Sequence, residues 1–164
     1  MQRNRLNLVT DPWRIVEADF DPARVEAAES LFALGNGVMG GRANFEERYS
    51  GPSLQGNYIG GVYYPDKTRV GWWKNGYPEY FAKVLNAAFW IGVDVGIDGE
   101  PLDLATVAEV KSFYRETDMR RSVLTRRMTV TMRNGAEVAV EATRFLSLTR
   151  RELGVVRYAV TPLN

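Results

Sequence analysis

At 164 residues, the chain is long enough to bury a core of its own, and 45% hydrophobic with 25% charged residues fits a folded protein rather than a disordered one. A net charge of +1 excludes bulk attraction to nucleic acid or anionic membranes. With no cysteine and no histidine, disulfides, thiolate chemistry, an imidazole base and the commonest zinc ligand are excluded as well.

The N-terminus, Met1-Gln2-Arg3-Asn4-Arg5-Leu6-Asn7-Leu8, is polar and has no signal-peptide core. No apolar run reaches the roughly 20 residues that span a bilayer. A cytoplasmic protein is expected. Residues 35–40 then spell GxGxxG, from Gly35 through Gly37 to Gly40. A dinucleotide fingerprint needs a strand before it, a long amphipathic helix after it and an acidic residue about 20 positions on. Here Arg42 to Tyr49 allow one short turn before Gly51 and Pro52 stop it. The glycines are therefore expected to form a tight backbone turn, not a phosphate cradle. The adjacent Glu46 and Glu47 invite an acid–base reading, but neighbours diverge in strand or helix alike. They are expected to be an exposed or capping pair, with Arg42 as an ion-pair partner of one of them.

From Gly51 to Tyr80 glycine and aromatics dominate. Residues 57–64 are expected as a short strand, 65–78 as a long loop and 78–86 as a brief helix. Within the loop, Trp72, Trp73 and Tyr77 are candidates for carbohydrate stacking or for contact with a partner surface. Trp90 is expected in the core. Residues 90–98 alternate as a strand, with Ile91, Val93, Val95 and Ile97 on one face. Asp98-Gly99 marks a turn. Residues 122–132 place Leu124, Met128, Val130 and Met132 on one face and Thr125, Arg127, Thr129 and Thr131 on the other. Asn134-Gly135 is a two-residue hairpin signal. The returning strand sets Ala136, Val138, Val140 and Ala142 against Glu137, Glu141 and Thr143, so Arg/Thr and Glu/Thr faces pair across strands. A last strand covers residues 153–160. Lys111, Arg115, Arg120, Arg121, Arg126, Arg127 and Arg133, interspersed with acids, read as a solvated sheet surface rather than a nucleic-acid site. The whole reads as one all-β unit, an antiparallel β-sandwich with a long aromatic loop. The chain stops directly after a strand, which reads as a fragment of a larger protein.

Several blocks together resemble the N-terminal domain of glycoside hydrolase family 65. They are Glu29-Ser30-Leu31-Phe32, Gly35-Asn36-Gly37, Gly40, Arg42 and Glu46-Glu47; then Asn57-Tyr58-Ile59-Gly60-Gly61-Val62-Tyr63; then Leu85-Asn86 with Trp90, and Ile97-Asp98-Gly99-Glu100-Pro101-Leu102-Asp103-Leu104; and last Arg115 to Arg120, Leu124-Thr125-Arg126 and Thr161-Pro162-Leu163-Asn164. Ala43, Val38-Met39 and Ala87-Ala88 depart from the family pattern. The resemblance implies part of a β super-sandwich, galactose-mutarotase-like, followed in the parent by a helical linker, a catalytic α/α barrel and a C-terminal sheet. It implies a parent that cleaves an α-glucosidic disaccharide such as maltose or trehalose with inversion, using inorganic phosphate as co-substrate. The catalytic glutamate and the phosphate site lie in the barrel, so no catalytic residue is assigned to residues 1–164. No metal or cofactor is expected. The expected partners are the parent's own barrel, a second subunit and the carbohydrate substrate. A family trehalase, a free-standing carbohydrate-binding module using Trp72 and Trp73, and an oligomerisation domain are the alternatives.

Overall fold

Period-two alternation, read along the C-terminal half, becomes a meander of four long strands. The computed structural model describes residues 8–68 and 78–164. In chain order the elements are β1 (Leu8–Thr10), β2 (Arg14–Glu17), a 3-10 turn (Pro22–Arg24), α1 (Val25–Leu31), β3 (Leu34–Gly35), β4 (Met39–Gly41), β5 (Asn57–Ile59), β6 (Tyr63–Lys67), β7 (Tyr80–Val84), β8 (Gly96–Ile97), β9 (Glu100–Pro101), β10 (Glu109–Asp118), β11 (Val123–Thr131), β12 (Glu137–Leu146) and β13 (Gly154–Pro162). One six-stranded antiparallel sheet runs β1-β2-β10-β11-β12-β13, beside a three-stranded sheet β3-β4-β5 and the ribbons β6-β7 and β8-β9. The fold is the expected antiparallel sandwich.

Its main core lies between the inner face of the large sheet (Phe113, Met128, Val130, Val138, Val140) and a second layer bearing Phe45, Leu102 and Leu104. Phe20, Phe45, Tyr49 and Phe113 meet edge-on or tilted at centroid separations of 5.0–6.3 Å, the geometry aromatic quadrupoles prefer. The outer face carries the expected charge ladder. Arg127 Nε donates to Glu141 at 2.9 Å and Arg157 to the same carboxylate at 3.2 Å; such exposed pairs contribute little.

Five expectations are corrected. Residues 57–64 are not one strand, because Val62 N–H bonds Ile59 O and the chain turns at Gly60-Gly61. Residues 65–67 belong to β6 rather than to a loop. Residues 80–84 form β7, not a helix: Tyr80, Phe81 and Val84 favour strand and β6 supplies the ladder. Of residues 90–98 only Gly96–Ile97 is strand, since Trp90 and Ile91 turn under the core. Hairpin chemistry also separates two similar dipeptides. Asp98 and Gly99 both have positive φ, 49° and 82°, and close a two-residue loop between Ile97 and Glu100. At 134–135 only Gly135 is positive, at 90°. Met132 N–H there bonds Ala136 O, giving a three-residue loop instead of the expected two.

Sequence reading also passes over α1. Asp21 caps the 3-10 turn that leads into it, accepting from Ala23 N–H at 3.0 Å, with Pro22 following. Val25, Ala28, Glu29 and Phe32 are then buried at helical spacing.

Candidate functional site

Residues 42–47 form a strap across the inner face of the large sheet, and the chain is anchored on either side of it. Upstream, the β3–β4 hairpin turns at Gly37, φ 86°, as expected for a tight turn. The buried Asn36 amide satisfies its full hydrogen-bonding capacity there. It donates to Ser147 O at 2.8 Å and Arg151 O at 2.9 Å, and accepts from Val38 N–H and Met39 N–H. Glu29 on α1 holds the far side, accepting from Leu54 N–H at 2.8 Å and from Ser53 Oγ.

Under the strap stand three arginines on adjacent strands. Arg115 of β10 and Arg126 of β11 are direct cross-strand partners, and Arg144 follows on β12. Like charges facing each other on a sheet repel, and burying any one uncompensated is costly. The strap and β2 supply the compensation. Arg126 forks onto Glu47, with Nη1 to Oε1 at 2.8 Å, and reaches Glu46 Oε2 at 2.8 Å. Arg144 pairs with Glu46 Oε1 at 3.2 Å and donates to the carbonyls of Asn44 and Arg42 at 3.0 and 3.1 Å. Arg115 donates to Glu17 at 2.9 and 2.6 Å and to Ala43 O at 3.2 Å. Tyr158 of β13 donates to Glu47 at 3.0 Å. Arg115 also sits 4.8 Å from the Phe32 ring, and Arg126 5.0 Å from Phe45.

Glu46 and Glu47 are thus 4% and 3% exposed, not the exposed pair expected. Arg42 pairs with neither; it lies 3.8 Å from Glu29 and bonds Glu26 O. Arg115 and Arg126 leave the expected solvated basic run for the interior. Burial raises the Glu46 carboxyl, but Arg126 and Arg144 outweigh it and hold it below its ordinary 4.5. Burial pushes the Tyr158 hydroxyl well up, and Glu47 adds to this. For Arg126, burial works against the charge and the two carboxylates override it. A depressed carboxyl stabilises the fold in full above its unfolded value and loses that contribution as pH falls through the lower folded one. The stability gap between the native chain and Glu46→Gln is therefore expected to be widest at pH 7. It should hold down to the ordinary glutamate value of about 4.5 and narrow as pH falls further, through the lower folded one. Urea midpoints of both chains across that range check this; a gap constant with pH would contradict it.

Above Glu46 and Glu47 opens a cleft of about 400 Å³, with Arg48, Gln55, Phe89 and Asp94 on its walls. Its floor carboxylates are committed to arginines, so the cleft offers them to no substrate as acid or base. Asp103, also buried, accepts from Ser50 and Ala105 N–H at 3.1 and 2.9 Å. Trp90 is half-buried near Arg144 and Phe145. Trp72, Trp73 and Tyr77 lie outside the described residues. Among those described, no group of acidic side chains is arranged to hold a metal ion, and no helix is long and apolar enough to cross a membrane.

These features define an antiparallel sandwich domain whose sheet clamps a strap through internal ion pairs, with a shallow cleft above it. The profile of the glycosyl hydrolase family 65 N-terminal domain matches residues 15–164, and the chain belongs to that family. It is 47% identical over 148 residues to maltose phosphorylase of Bacillus subtilis (strain 168), covering 90% of this chain and 19% of that protein. It is 32% identical over 161 residues to alpha,alpha-trehalose phosphorylase of Thermoanaerobacter brockii, covering 94% and 20%. A solved structure of a protein from human microbiome, provisionally named a kojibiose phosphorylase, superposes with a TM-score of 0.84 at 30% identity, covering 94% of this chain and 20% of that one. The chain thus spans about a fifth of the length of these relatives.

Proposed function

We propose that this chain is the non-catalytic N-terminal sandwich of a cytoplasmic disaccharide phosphorylase, with maltose as the first-choice substrate. The observation that carries the reading is the 47% identity to a maltose phosphorylase across 90% of the chain. The site's chemistry agrees with it. Glu17, Glu29, Glu46, Glu47 and Asp103 are buried, and each holds an arginine or a backbone N–H. They brace the domain instead of serving a reaction.

The reaction proposed for the longer protein is inverting phosphorolysis. A carboxylic acid in the catalytic domain protonates the leaving glycosidic oxygen while inorganic phosphate attacks the anomeric carbon from the opposite face. The products are β-glucose 1-phosphate and glucose. Phosphate arrives as a competent nucleophile, so the second carboxylate that hydrolytic inversion uses as a base is dispensable. The sandwich supports that catalytic domain and a second subunit. The test is to assay the longer gene product and residues 1–164 with maltose, trehalose and kojibiose, with and without phosphate. Expected is phosphate-dependent release of glucose from maltose by the longer protein and none by residues 1–164. Phosphate-independent hydrolysis, or turnover by the short chain, would overturn the reading.

A further inference from the structure

The ribbon β6-β7 leaves nearly all its side chains in water: every residue of β7 is exposed, and only Asp66 of β6 is partly covered. Tyr63, Tyr64 and Val84 are 58%, 57% and 63% exposed. An isolated two-stranded ribbon is marginal in water, and an apolar edge without protective devices is a template for pairing. The two edges differ. β6 carries Pro65, which has no N–H and blunts that strand. β7 reads Tyr80-Phe81-Ala82-Lys83-Val84, without proline or glycine, and its one charge, Lys83, is paired with Asp66 across the ribbon. Among the described residues no strand pairs with its other edge.

We propose that the free edge of β7 pairs antiparallel with β7 of a second copy of this chain, about a two-fold axis through Ala82. This deepens, and rests on, the reading of the domain as part of a two-subunit enzyme. The sequence of β7 is self-complementary in that register. Tyr80 falls opposite the partner strand's Val84, an aromatic–β-branched pair, and Phe81 opposite Lys83, a cation beside a ring. Ala82 meets itself and leaves room for close approach. An axis one residue further on would set Lys83 against Lys83, and the repulsion disfavours it. Lys83 is already balanced within its own ribbon by Asp66. The result is a four-stranded sheet β6-β7-β7-β6, with a proline-blunted strand at each outer edge. An isologous contact of this kind closes after two copies.

The chain has no cysteine, so a single introduced thiol reports on this contact alone. In Ala82→Cys under mild oxidation, a disulfide-linked dimer is expected at least ten times faster than in Leu148→Cys, a control at another exposed site (64% exposed). Sedimentation of the unmodified chain should show a monomer–dimer equilibrium, weakened at least ten-fold in Ala82→Pro. Ala82→Glu, which places like charges at the axis of an exposed ribbon without disturbing the core, should weaken it likewise. A dimer that persists unchanged in both of these variants, with no preferential cross-link in Ala82→Cys, would overturn the β7 contact while leaving the two-subunit reading in place. A chain that stays monomeric at every concentration, alone and as part of the longer enzyme, would overturn both.

Discussion

Replacing Arg126 with methionine is expected to destabilise the chain by about 3–5 kcal/mol, a large part of the roughly 5–15 kcal/mol that keeps a domain folded. The side chain is 3% exposed, and its fork holds both Glu46 and Glu47. Without it, among the described residues Glu47 keeps the Tyr158 hydroxyl, and Glu46 keeps Arg144 at one oxygen. The loss is then chiefly that of buried carboxylates left short of charge, and this has its own check. The double variant Arg126→Met, Glu47→Gln should recover much of the stability, because a neutral side chain at position 47 no longer needs a cation while Glu46 stays paired with Arg144. Urea unfolding followed by tryptophan fluorescence measures all three chains. A single-variant loss below about 1 kcal/mol would mean that the pair contributes no more than a surface one. No recovery in the double variant would mean that packing, not charge, had been lost.

Phe45→Ala is expected to cost about 3–5 kcal/mol, for two reasons that act at one ring. Phe45 is 3% exposed and touches Phe20, Tyr49 and Phe113, so truncation opens a cavity among rigid aromatics that cannot collapse into it. It also lies 5.0 and 5.6 Å from the guanidiniums of Arg126 and Arg115, so the arginine cluster loses its apolar lid and takes up water. Phe45→Leu keeps most of the volume and loses the ring face. Its cost, by the same unfolding measurement, should fall between that of the native chain and alanine. Equal costs for leucine and alanine would assign the whole effect to the ring's own contacts, with arginine and aromatic neighbours, and none to the cavity.

The all-β class, the β11–β12 hairpin, the Asp98-Gly99 turn and the family were legible in the sequence, because each rests on a local pattern. Alternation over nine or ten residues survives any tertiary context that covers one face. The buried network was legible in part and passed over. By the same alternation Arg126 stands between Leu124 and Met128 on the apolar face, Arg115 between Phe113 and Thr117, and Arg144 between Ala142 and Leu146. An arginine at an inward position announces a buried anion, and Glu46-Glu47 were at hand to supply it. Which carboxylate meets which arginine was not legible, because the partners lie 79 or more positions apart. β7 was misread as a helix for the opposite reason. Its five exposed residues face no core of this chain, so no burial pattern marks their period.

Those separations also set an order of events. The antiparallel meander β10 to β13 joins neighbours through short turns, so its ladders close small loops and can form early. The strap is made before its partners and can be seated only after them. Glu46 and Glu47 must wait for Arg126 and Arg144, and Ala43 O for Arg115, 72 positions further on. Until then two carboxylates and a phenylalanine remain in water on an unsupported segment. A ribosome-bound chain ending before β11 thus carries the anions without their cations. Docking of residues 42–47 then becomes the step that converts an open sheet into a closed core.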